Sequence, residues 1–134
     1  MTTRQCFKTS PVILLLLIFW AGTLISTSVL AAGISSGVKQ MAAVLLQMHH
    51  YPSKDEAAIL RSIIDDKSSR ENERIIANAI LNVKHKAEPS DITALQTIIN
   101  SKDATGNEKD LAISVINLNH EPTAKDKVRL ESMK

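Results

Sequence analysis

The sequence predicts an all-α fold, in which about three helical hairpins stack into a short right-handed superhelix. The first observation is an internal repeat, because residues 58–92 and 93–127 align without gaps over 35 positions, with ten identical pairs. The second is that apolar residues recur at spacings of three and four, as in amphipathic helices, and no segment alternates as a strand would. A repeat period of 20–50 residues is typical of stacked architectures.

The repeat conserves chemical character as well as spacing. The identical pairs include Leu60/Leu95, Ile63/Ile98, Glu73/Glu108, Ala77/Ala112, Asn82/Asn117, His85/His120 and Asp91/Asp126. The register extends backward to residues 41–50 and forward to Leu130 and Met133. Three copies are therefore expected within residues 32–134, each with two helices.

Helix start and stop signals give six helices, near residues 35–50, 54–66, 70–86, 90–101, 106–119 and 124–133. Four pairs fit the capping-box spacing, which satisfies free backbone donors at a helix start: Ser53 with Glu56, Ser68 with Glu71, Thr105 with Glu108 and Thr123 with Asp126. Pro52, Pro89 and Pro122 fall between helices, where a missing amide hydrogen costs little. The short connections favour antiparallel neighbours, and the charged last helix is expected to be a solvent-facing end cap.

By its length the repeat is similar to the tetratricopeptide type, and its layout resembles HEAT-like arrays. The tetratricopeptide signature places Trp, Gly and Tyr in the first helix, and residues 41–50 and 76–85 contain none of them. The resemblance implies an architecture of stacked hairpins and no functional residues.

The first 31 residues are predicted to be a secretory signal peptide. Arg4 and Lys8 precede an apolar run over residues 12–25, and Val29 and Ala31 supply the small side chains that signal peptidase requires. In a second interpretation the segment is retained as an anchor, because residues 12–32 are long enough to span a membrane. The expected location is periplasmic or secreted, or single-pass and membrane-anchored.

Composition excludes several functions of the exported part. The whole chain has 16 basic and 14 acidic residues. Arg4 and Lys8 belong to the predicted signal peptide, so residues 32–134 carry 14 of each and have no excess positive charge for binding nucleic acid. The single cysteine, Cys6, also lies in the leader, which excludes a disulfide framework and a Cys-based zinc site. No Gly-rich phosphate loop, HExxH or GxSxG string occurs. We therefore expect neither catalytic residues nor a cofactor.

One polar pattern recurs in every copy: an amide three residues before a histidine and an acid six residues after it. The three sets are Gln47/His50/Glu56, Asn82/His85/Asp91 and Asn117/His120/Asp126. We interpret the pattern as a hairpin clasp, in which the histidine at one helix end and the acid at the next helix start complement the helix dipoles and pair with each other. The amides are expected to bond groups of the adjacent hairpin.

A second interpretation is a histidine ladder that binds a metal ion, since stacked helices lie about 8–10 Å apart and two imidazoles could reach one ion. The clasp is favoured over the ladder, because a feature present in every copy is typical of the architecture of a repeat. No metal ligand is therefore assigned.

Stacked hairpins favour a protein-protein binding function, with another exported protein as partner: an adaptor, an inhibitor or an immunity-type protein. Arg61 and Arg74 could flank a groove for an acidic partner, although nearby acidic residues favour ordinary surface charge. The other functional hypotheses are a histidine-dependent metal-binding periplasmic protein and a membrane-tethered structural spacer.

Overall fold

A computed structural model describes residues 33–134, which form six α-helices joined by short turns. The helices are α1 (Ser36–Gln47), α2 (Lys54–Asp65), α3 (Glu71–Leu81), α4 (Pro89–Asn100), α5 (Gly106–Ile116) and α6 (Ala124–Glu131). The predicted all-helical fold of helical hairpins is confirmed. The predicted signal peptide, residues 1–31, lies outside the described residues. In the described part of the chain, no helix is both long and apolar enough to cross a membrane.

Helix starts agree with the sequence signals at three of the four predicted caps. Ser53 and Thr105 form complete capping boxes, and Thr123 accepts a hydrogen bond from the Asp126 amide. The fourth prediction is wrong, because the N-cap of α3 is Arg70, two residues after Ser68. Ser68 instead donates to the Asp66 carboxylate at 2.7 Å, and this bond is the main cause that lowers the Asp66 pKa.

The six helices of the described residues form a closed arrangement rather than a linear stack. The first helices of the three copies, α1, α3 and α5, all contact one another, while α2 packs on α3 and α4 packs on α5. The last helix, α6, packs on α1 and so completes the third pair. The expectation of a solvent-facing end cap is met in part: the outer face of α6 is exposed, with Val128 74% exposed, but the helix does not end an array, and Leu130 and Met133 are buried against the rest of the core.

Equivalent positions of the three copies fill equivalent places in the core. Each of the following triplets is buried in all three copies: Met41/Ile76/Leu111, Ala42/Ala77/Ala112, Leu45/Ile80/Val115, Met48/Val83/Leu118, Leu60/Leu95/Leu130 and Ile63/Ile98/Met133. The helices α1, α3 and α5 also begin at intervals of 35 residues. The described residues thus have an approximate threefold arrangement about an axis between α1, α3 and α5.

Two buried carboxylates connect successive copies near the start of α3 and α5. Arg70 Nε donates to Glu108 at 2.8 Å, and the Thr105 amide donates to the same carboxylate at 2.6 Å. At the equivalent position, Glu73 accepts a bond from the Ser35 hydroxyl at 2.7 Å. Both carboxylates are almost fully buried, so the Arg70–Glu108 and Ser35–Glu73 bonds link one copy to the next inside the protein.

Replacing Glu108 with Gln is expected to lower the free energy of unfolding by about 2 kcal/mol. The NH₂ group of the glutamine would face a hydrogen-bond donor at a position where an oxygen of the Glu108 carboxylate accepts a bond. Urea denaturation measures the change. Glu73→Gln is the matched control and should cost less than about 1 kcal/mol, since the Ser35 hydroxyl can rotate to donate or accept. Equal losses in both variants would contradict this account of the Glu108 site.

Candidate metal centre

The three repeated histidines occupy the turns that follow α1, α3 and α5. His50, His85 and His120 have φ values of 68°, 75° and 67°, and they are the non-glycine residues with positive φ in residues 33–134. This left-handed conformation costs an L-residue about 1–2 kcal/mol, although His tolerates it better than most. The same strained conformation in all three copies indicates that a specific arrangement is held there.

A closed ring of backbone hydrogen bonds holds these turns together. The His50 amide donates to the His120 carbonyl at 2.9 Å, the His85 amide to the His50 carbonyl at 2.8 Å, and the His120 amide to the His85 carbonyl at 2.7 Å. Each histidine therefore donates to one neighbour and accepts from the other. The ring requires contact between the first and third copies, which the packing of α1 against α5 and α6 provides.

The side chains of the three histidines converge as well. Their Nδ1 atoms lie 2.7 Å apart for His50 and His120, 3.1 Å apart for His85 and His120, and 3.3 Å apart for His50 and His85. The ring centroids are 4.8–5.2 Å apart, and the rings meet at steep angles. All three residues are exposed, so the cluster lies at the protein surface. We call these three residues the histidine triad.

The short Nδ1 distances restrict where protons can be. Two Nδ1 atoms this close cannot both carry hydrogens, since the hydrogens would point at each other. At most one Nδ1 of the triad can therefore be protonated, and at least two lone pairs face a common point. Lone pairs that converge in this way repel each other, and a cation at that point removes the repulsion.

The distances also fit the coordination geometry of a transition metal. With metal–nitrogen bonds of about 2.0–2.1 Å, two ligand nitrogens are about 2.9 Å apart at a 90° angle and about 3.3 Å apart at the tetrahedral angle. The observed separations of 2.7, 3.1 and 3.3 Å span this range with an adjustment of a few tenths of an ångström. The triad can thus supply three ligands on one side of an ion.

The histidines do not pair with the acids that the clasp interpretation assigned to them. In the second and third copies the acids bond the amides instead: Asn82 Nδ2 donates to Asp91 at 3.1 Å, and Asn117 Nδ2 donates to Asp126 at 3.3 Å. In the first copy, Glu56 accepts a bond from the Ser53 amide at 2.7 Å. The physical reason is the left-handed backbone at each histidine, which together with the hydrogen-bond ring holds the imidazoles on the axis and away from the following helix. The amide and the acid therefore form the clasp between the two helices.

The two arginines singled out in the sequence lie apart from the triad. Arg61 is exposed on α2. Arg74, on α3, lines a shallow groove together with Ile64 and Ile75. Neither arginine forms an ion pair with a described residue; the buried Glu108 pairs with Arg70 instead.

The residues directly before and after each triad histidine form its rim, and the rim does not follow the repeat. It consists of His49, Tyr51, Lys84, Lys86, Asn119 and Glu121. A hydrogen bond from Lys127 is the main cause that lowers the pKa of Glu121, and the nearby His49 and His50 add smaller electrostatic contributions. Glu121 of the third copy is therefore close to His49 and His50 of the first copy, where the closed arrangement brings these two copies together.

The geometry therefore unites the three histidines, pairs two amides with two acids, and leaves Arg61 and Arg74 elsewhere. Sequence reasoning missed the convergence of all three histidines on one point. The signal was their uniform 35-residue spacing, which places equivalent side chains on a common axis once three copies close. The chain matches no protein-family model, no curated protein sequence and no solved structure.

Proposed function

We propose that this protein binds one divalent transition-metal ion through the histidine triad. The observation that supports the proposal is the convergence of three Nδ1 atoms within 2.7–3.3 Å of one another. Imidazole nitrogen suits zinc, copper, nickel and iron, and it is a poor ligand for calcium and magnesium, which take oxygen. Zinc is the reference ion for the experiments below.

The ion would connect all three copies of the repeat. His50, His85 and His120 belong to the first, second and third copies, so a bound ion adds a bond across the same contacts as the backbone ring. Because metal binding to the folded state adds to its stability, the ion would stabilise the closure between the first and last parts of the described domain.

The mature protein, freed of any affinity tag and of bound metal, is expected to bind zinc with one ion per chain. At zinc concentrations of about 100 times the dissociation constant, the free energy of unfolding should rise by about 2.7 kcal/mol. Calorimetric titration gives the stoichiometry, and thermal unfolding gives the shift.

His49→Ala is the matched control for this titration. His49 is the neighbour of His50 and the one histidine of residues 33–134 outside the triad, so its loss should leave one zinc ion bound with similar affinity. A wild-type protein that binds no zinc at micromolar concentration, or that loses its zinc on His49→Ala, would contradict the proposal.

A second candidate function is recognition of a protein partner, which one surface feature favours. Between α2, α3 and α4 lies an open groove lined by Ile64, Ile75 and Ala94, with one basic residue, Arg74, and two acidic ones, Glu71 and Asp91. An apolar segment of another protein would fit this composition. Ile75→Asp should abolish capture of such a partner by a tagged protein, whereas the same change at the exposed Ile59 of α2 should not.

Either function is proposed for an exported, non-enzymatic protein. The proposal of export depends on Arg4, Lys8 and the apolar run of residues 12–25. The mass of the mature N-terminus in the native compartment tests it: cleavage after Ala31 indicates release, and an intact N-terminus indicates a membrane-tethered protein.

A further inference from the structure

The histidine triad supplies three ligands, and zinc takes at least four. Within residues 33–134, no carboxylate, thiol or further histidine joins the three imidazoles in a metal-binding group. Structural zinc sites are closed by four protein ligands, whereas sites with three keep an exchangeable position. A zinc ion bound here, as proposed above, would therefore retain at least one position that the described residues do not fill.

The direction of that position follows from what lies on each side of the triad. Two residues before each histidine, Met48, Val83 and Leu118 are buried in the core and offer no oxygen or nitrogen ligand. The backbone amides and carbonyls of the triad are engaged in the hydrogen-bond ring. On the other side, all three imidazoles are exposed. The exchangeable position therefore faces solvent.

The charges around this position favour an anion. A zinc ion with three neutral imidazoles keeps its charge of +2, and Lys84 and Lys86 of the rim flank His85 directly. The Lys84 side chain is 81% exposed, and its contact with Glu88 is long, at 3.9 Å. The one acid of the rim, Glu121, is held at 2.6 Å by Lys127.

We propose that the solvent-facing position of the metal-loaded triad binds small carboxylate anions in exchange for water. An oxygen of the carboxylate would coordinate the ion, as zinc accepts carboxylate oxygen at about 2.0–2.2 Å. The neighbouring ammonium groups would strengthen the attraction to the bound anion. This inference depends on the proposed metal function, and it makes the triad a receptor site as well as a structural one.

The test uses the full mature protein loaded with cobalt(II), which replaces zinc and reports its coordination by its visible absorption. Cobalt binding itself is measured first, by the appearance of absorption bands with one equivalent. Sodium acetate is then titrated at constant ionic strength. The proposal predicts that acetate shifts the bands in a saturable manner, and that a matched series of sodium perchlorate additions does not.

Two variants test whether Lys84 and Lys86 contribute to the affinity for acetate. The double variant Lys84→Ala/Lys86→Ala should bind cobalt as the wild type does, and its affinity for acetate should fall about threefold to fivefold. Lys102→Ala is the control for the loss of a distant lysine charge, because Lys102 precedes α5 whereas the triad lies at the end of α5. The 11 residues of that helix separate the two by about 16 Å, beyond the screening length at 0.1 M salt.

The outcomes separate this inference from the function on which it depends. Failure to bind cobalt would contradict the metal function itself. Cobalt bands that form with one equivalent and do not respond to acetate would leave the metal function intact and overturn the proposed exchange of water for carboxylate. An acetate response of equal affinity in the double variant would overturn the role of Lys84 and Lys86 in anion binding.

Discussion

Replacing Leu130 with Ala is expected to lower the free energy of unfolding by about 2–5 kcal/mol, although Leu130 lies in the last helix. Its side chain is fully buried, and removing it leaves a cavity at the contact of α6 with the core. In a linear array, a terminal helix contacts one neighbour and contributes little beyond its own copy. In the closed arrangement, α6 packs on α1 as well as on α5, so its apolar face is covered by two helices. Chemical denaturation of the purified variant measures the loss.

The repeat provides its own matched controls for this experiment. Leu60 and Leu95 are the equivalents of Leu130 in the first two copies, and all three are fully buried. The closed arrangement predicts similar losses for Leu60→Ala, Leu95→Ala and Leu130→Ala. A loss at Leu130 below about 1 kcal/mol, alongside large losses at the other two positions, would show that α6 is a loosely attached end and that the closure is wrong.

The closure could not be predicted from the sequence, whereas the repeat and its helices could. Apolar spacing and caps such as Ser53 and Thr105 are local, so they identify the helices and most of their starts. Whether successive hairpins continue outward or return to the first depends on the packing angle between helices, which many small side-chain contacts determine together. Leu130 and Met133 have the same apolar pattern in either arrangement.

The sequence predicts ends for α1, α3 and α5 that lie several residues beyond the observed ones, and the reason is related. The predicted helices ran to residues 50, 86 and 119, but the observed helices end at Gln47, Leu81 and Ile116. Nothing in the sequence shows that the following histidines adopt the left-handed conformation, because no glycine or asparagine marks those positions. The conformation is held by hydrogen bonds between copies, and these form only after closure.

The sequence pattern identifies the polar residues of the candidate site but not the contacts among them. The spacing assigned Asp91 and Asp126 to the histidines, whereas Asn82 and Asn117 contact these acids, each pair within one hairpin. The histidines contact residues 35 and 70 positions away, which no local spacing specifies. A side chain that repeats in every copy can therefore form one shared site when the copies meet on an axis, and repetition alone does not identify a structural role.

The decisive prediction for the metal centre compares two replacements of His85. Both His85→Ala and His85→Gly should reduce zinc affinity on the order of a hundredfold or more, and the stabilisation by zinc of about 2.7 kcal/mol should disappear at the concentration that stabilises the wild type. Without metal the two variants should differ. Alanine tolerates the left-handed backbone less well than histidine, so the free energy of unfolding should fall by up to about 1 kcal/mol, whereas glycine adopts that backbone readily and should be about as stable as the wild type.

This pair separates the side chain from the backbone, because glycine preserves the turn and the ring of backbone hydrogen bonds while removing the imidazole. Unfolding of each variant is followed with excess chelator and again with zinc, and metal content is measured on the same samples. A glycine variant that is stable without metal and fails to bind zinc would assign the imidazole of His85 to the ion. A glycine variant that still binds one zinc ion with wild-type affinity would refute the triad as the metal centre and return the histidines to a purely structural role.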